Sequence, residues 1–150
     1  MIENNTTDNN QLYGILQEIG GSVIIRNNTV SNEGYNPGAP NAAMFYSAGI
    51  MCNASRDVEI NHNMVTGWIN GIGAINANRG PGNVVQNLYV HDNVIHQVAN
   101  TAAGLLIDSL YTASASRRQI TVLKTTSIIR PRPAELTSSA RQATSTPRTG

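Results

Sequence analysis

A chain of 150 residues is one domain or part of one, and a hydrophobic share of 40% is enough to build a core. The single cysteine, Cys52, excludes an intrachain disulfide; no apolar run is long enough to span a bilayer, and the opening MIENNTTDNN lacks the basic and apolar regions of a secretion signal. The net charge of +1 hides a division: up to Asp108 the basic side chains are Arg26, Arg56 and Arg79 against eight acids, whereas after it seven basic residues face only Glu135.

The chain opens with Ile2, Asn5 and Thr7, a partial copy of a pattern that then returns three times: aliphatic, any, aliphatic, any, any, Asn, any, aliphatic or Thr. The full copies are Val23, Ile25, Asn28, Val30; Val58, Ile60, Asn63, Val65; and Leu88, Val90, Asn93, Ile95. Their asparagines follow one another at intervals of 23, 35 and 30 residues, a spacing typical of stacked supersecondary units. After each copy comes a second element, a Gly followed by alternating apolar residues: YGILQEI from Gly14, AGIMC from Gly49, NGIGAI from Gly71 and AGLLI from Gly104. Both elements alternate with period two, which predicts strands, and helical periodicity is absent up to Asp108.

Short strands joined by Asn- and Gly-rich turns at similar intervals predict a coil in which each strand lies parallel on the one before, rising by roughly 4.8 Å per coil. Asparagine tolerates left-handed backbone and so suits the corners. Corners that recur in every coil let side-chain amides stack along the axis. Asn5, Asn28, Asn63 and Asn93 are therefore expected in one ladder.

The segments VIIRNNTV…AGIMC and VEINHNMV…NGIGAI resemble right-handed parallel β-helix repeats of the pectate-lyase-like superfamily over residues 2–108. That resemblance implies an all-β right-handed parallel β-helix of about four coils over residues 1–110, a piece of a longer solenoid whose first rung is uncapped. It implies a polysaccharide partner and, for the full-length parent, an extracellular or cell-surface location. The scaffold hosts lyases, hydrolases, epimerases and non-catalytic adhesins alike, so the reaction is not read from it. The leading expectation is the carbohydrate-facing part of a polysaccharide-active enzyme, hydrolase or lyase. Its competitor is a non-catalytic adhesin, tail-spike or sugar-binding surface, or an inactive fragment.

Strand parity with Val23 and Ile25 inward turns Arg26, Asn61 and His91 outward in one surface column, with Glu3 beyond, and Glu59 and Tyr89 outward beside it. Arg26 and His91 are then two coils apart, about 10 Å, a span suited to neighbouring sugar subsites. Glu18, Glu59 and His91 are the catalytic candidates; Arg26, Asn61, Tyr35, Tyr46 and Arg79 are the substrate-binding ones. A solvated strand face is the competing explanation for each. The series Asn4, Asn27, His62, Asp92 reads as turn chemistry, with His62 breaking the type. A glycosidase needs two carboxyl groups about 5 to 9 Å apart, and no such pair is established by the sequence. Elimination on a uronate needs a cation and a base, and no lysine precedes Lys124. No metal site or other cofactor is expected, and no Asp-rich constellation supports a calcium ion. The long loop Ser31 to Gly49 brings Tyr35, Phe45 and Tyr46, which can stack on sugar rings or close the loop on themselves.

Residues 111–150 form a basic tail rich in Ser, Thr, Arg and Pro, without Asn, and expected to be irregular or disordered. QITVL and TSII have strand character, PAELTSSARQA weak helical character, and any nucleic-acid binding would rest on this tail alone. One explanation of the break is a slip of the coding frame near Arg118. Reading each codon's last base with the next two admits NNRFENN, an Asn rung roughly one coil, about 30 residues, after Asn93. We favour it over a native basic tail because Asn and Gly usage collapse where the charge reverses.

Overall fold

Runs of alternating apolar and polar residues, cut short by Asn, Asp, Ser or Gly, commit the chain to short strands. The computed structural model describes residues 1–32, 47–77, 79–96, 98, 101–106, 120–124 and 127–129, and every regular element among them is a strand. In chain order these are β1 (Ile2–Glu3), β2 (Thr6–Thr7), β3 (Tyr13–Arg26), β4 (Thr29–Ser31), β5 (Ala48–Asn61), β6 (Met64–Thr66), β7 (Asn70–Ile75), β8 (Gln86–His91), β9 (Val94–His96), β10 (Thr101–Leu106), β11 (Ile120–Lys124) and β12 (Ser127–Ile129).

The strands belong to two sheets: β1-β3-β5-β7-β10 with β8 beside β5 and β11 beside β8, and β12-β9-β6-β4-β2. All their pairings are parallel, and the register joins the positions that the sequence repeat aligns. Ile2 lies against Ile25, Ile25 against Ile60 and Ile60 against Val90; in the second sheet Thr7, Val30, Val65 and Ile95 follow one another. The chain is thus all-β with parallel layers, an arrangement compatible with a β-helix-like fold. No helix among the described residues is long and apolar enough to cross a membrane.

The corners explain the composition. Asn4, Asn27, His62 and Asp92 have φ of 57°, 54°, 52° and 50°, the left-handed region that Asn, Asp and His enter more readily than other side chains. The residue before each rung asparagine therefore makes the turn, which frees the asparagine to point inward. A second left-handed set, Ser22, Asp57 and Asn87, bends β3 and β5 midway and precedes β8's apolar pair. The first half of β5 pairs with β7 and its second half with β8.

The ladder forms as expected. Asn28 Oδ1 accepts from the backbone N–H and Nδ2 of Asn5, each at 3.0 Å; Asn63 Oδ1 takes the same two donors of Asn28 at 3.0 and 2.9 Å; Asn93 Oδ1 takes those of Asn63 at 3.0 and 2.9 Å. Asn28, Asn63 and Asn93 are fully buried yet satisfied. Around them Ile25, Ile50, Ile60, Val30, Val65 and Ile95 are sealed from water, each contributing about 2 kcal/mol by apolar burial.

Glycine follows from close packing. A Cβ on Gly14 would strike Val30 Cγ1 and stand 2.7 Å from the Gly49 carbonyl; one on Gly49 would strike Val65 Cγ1 and stand 3.0 Å from the Gly71 carbonyl. Gly104, expected to continue this file, instead lies against Gly73, so the last Gly-led element sits two residues out of the expected register. A slip of two keeps every side chain on its own face, so the apolar pattern alone does not distinguish the two registers. The expectation of an irregular or disordered tail from residue 111 does not hold for β11 and β12, which pair with β8 and β9 and carry both sheets past the compositional boundary, because QITVL and TSII keep the apolar strand character that pairing needs. The short helix considered for PAELTSSARQA lies outside the described residues.

Candidate functional site

Alternation along β3, β5 and β8 buries Ile25, Val58, Ile60, Leu88 and Val90 and turns the residues between them outward. Parallel register then stacks Glu3, Arg26, Asn61 and His91 in one file, the expected column, and the backbone of Lys124 pairs beside His91. Ile24, Glu59 and Tyr89 form the adjacent file.

At the centre of this face two layers meet through His91. Its Nε2 is 3.0 Å from Glu59 Oε1 on β5, and its Nδ1 is 2.7 Å from Asp92 Oδ2 at the following corner. Tyr89 lies against the imidazole with ring centroids 4.3 Å apart. The same Glu59 oxygen accepts Nδ2 of Asn61 at 2.8 Å, and Asn61 Oδ1 meets Nδ1 of His62 at 2.8 Å. Desolvation disfavours the charged form of His91, but hydrogen bonds to Asp92 and Glu59 and their negative charges outweigh it, so the pKa is raised. Asn61 is covered by this network and orients its neighbours more than it meets solvent.

The other candidates bond outside this network. Arg26 donates through Nε to Glu3 at 2.8 Å, so the column's arginine is engaged within its own file. Glu18 belongs to a second cluster: its Oε1 accepts Nδ2 of Asn53 and Nε of Arg79, each at 2.7 Å, joining two candidates 61 residues apart in sequence. Glu18 and Glu59 stand on opposite sides of the bend in their strands, so the structure does not bring them together as a carboxylate pair. Tyr35 and Tyr46 lie outside the described residues, as does Phe45. Cys52 is buried in the core, and burial pushes its thiol up to about 12. Among the described residues no group of three His, Cys, Asp or Glu side chains could hold a metal ion.

Sequence reasoning missed Asn53 and the part that Asp92 plays. Asp92 adjoins His91 in sequence, but a strand end turned by left-handed backbone, rather than continued, is what swings its carboxylate back to the ring.

No family model matches the chain, nor does any curated protein or solved structure.

Proposed function

We propose that the layers wind as a right-handed parallel β-helix of the pectate-lyase-like kind, about four coils over residues 1–110 continued by β11 and β12, whose outward face meets an extended polysaccharide. The parent protein is extracellular or on the cell surface, and the face belongs to an enzyme, hydrolase or lyase. The observation that carries this reading is the convergence of Glu59, His91, Asp92 and Asn61 where the outward strand positions of β5 and β8 meet, with the Tyr89 ring against His91. Aromatic faces and fixed polar groups are what sugar rings bind, and imidazoles held among carboxylates and an amide supply the fixed charge and proton-transfer groups of acid and base chemistry. Arg26 and Arg79 are already paired with carboxylates, which favours a glycan read through its hydroxyl groups over one held by its charge.

A non-catalytic sugar-binding surface is the second reading, and one observation favours it: Glu3, Glu18 and Glu59 are all engaged by neighbours in the fold. Incubating the chain with a panel of polysaccharides, and scoring reducing ends and unsaturated products separately, decides between them. Turnover that falls in Glu59→Gln and His91→Gln variants supports the enzyme. Binding without turnover supports the surface, and neither binding nor turnover contradicts both.

A further inference from the structure

His62 and His91 stand side by side, centroids 6.3 Å apart and edge to face, yet their partners commit them to opposite protonation patterns. Ionised carboxylates only accept hydrogen bonds. With Asp92 on Nδ1 and Glu59 on Nε2, both nitrogens of His91 must carry hydrogen, and the ring is an imidazolium. Glu59 also fixes the Asn61 amide, because the oxygen it offers can face only the amide nitrogen. Asn61 Oδ1 is thereby left toward His62, and since it too only accepts, the hydrogen of His62 sits on Nδ1. In the neutral ring Nε2 of His62 then holds the lone pair; the residue is exposed, and no hydrogen bond among the described residues reaches that nitrogen.

We propose that His62, through Nε2, is the proton acceptor of this site, with Asn61 as its positioning residue and His91 as a fixed cation holding Glu59 and Asp92. The assignment rests on the glycan-active reading above. In a turnover Nε2 takes a proton from a water O–H. The electron pair left on that oxygen attacks the anomeric carbon. The glycosidic oxygen departs with its bonding pair and takes a proton from a second water, and the hydroxide so formed takes the proton back from Nε2. The turn itself does not call for histidine, since Asn4, Asn27 and Asp92 make the equivalent corner at similar φ.

That equivalence supplies a folding-neutral test, His62→Asn. Turnover is expected to fall by about 100-fold or more, with the unfolding midpoint held; a fall of less than about threefold would overturn the assignment. Independently, nitrogen-proton NMR of the imidazoles in the full chain near pH 7 should show His62 as the Nδ1–H tautomer and His91 protonated on both nitrogens. An Nε2–H tautomer at His62, or a neutral His91, would overturn it as well. If no glycan is turned over, the glycan-active reading and the proton-acceptor role that rests on it fall together, while the spectra still decide the protonation assignment.

Discussion

Asn63 links three layers with one side chain. It accepts from Asn28, and the two hydrogens of its Nδ2 are shared among Asn93 Oδ1 at 2.9 Å and the carbonyls of Ile25 and Asn61 at 3.0 and 2.9 Å. Truncation strands buried donors and acceptors, each costing about 1 to 3 kcal/mol, so Asn63→Ala should lose roughly 3 kcal/mol or more in urea unfolding. Asn5→Ala at the exposed end should lose under about 1 kcal/mol, and equal losses would contradict the ladder. His91 makes a second prediction at this scale. Because its folded pKa is raised, the stability it contributes is fully present below the ordinary histidine value of 6.5 and is lost as pH rises through the folded value. The gap in unfolding midpoint between the wild type and His91→Gln should therefore narrow as pH is raised above that value; a gap that widens would contradict the bridge between Glu59 and Asp92. The ladder was legible because the aliphatic pattern around each asparagine aligns it with the next. The bonds of His91 were legible only as a column, since the rotation that brings Asp92 to the ring is set by a backbone angle and not by residue type.

Gly49 shows what an element needs beyond its alternation. Trp68, fully buried, packs its Cδ1 at 3.2 Å from where a Cβ would stand, with Val65 closer still. Gly49→Ala should cost about 2 kcal/mol by overpacking, whereas Gly82→Ala meets no atom within 4 Å and should cost about 1 kcal/mol through its φ of +79°. Thermal unfolding of the two variants compares them, and a harmless Gly49→Ala would mean that the sheets are not so close. Period two made the strands and their faces readable from Gly14, Ile15 and Gly49, Ile50. It left the placement of Gly104 ambiguous by two residues, because a slip of two conserves the pattern that the reading used. Glu18 and Arg79 were read as separate candidates for a similar reason: their ion pair depends on the path of a Gly- and Pro-bearing connection, which no periodicity describes.

At the scale of the whole chain, one parallel register turns a repeat in sequence into files in space. Core, ladder and outward column all follow from it, and the site at Glu59, His91 and Asp92 exists because β5 and β8 align Asn61 with His91. The basic tail enters the same scheme through β11 and β12, although the sequence between them is Thr125-Thr126, where earlier rungs carry Asn. Through-space NMR contacts between the side-chain amide protons of successive ladder residues test this register most directly. Cross-peaks linking Asn28 to Asn63 and Asn63 to Asn93 are expected. Their absence, together with contacts of an antiparallel kind between β3 and β5, would contradict it.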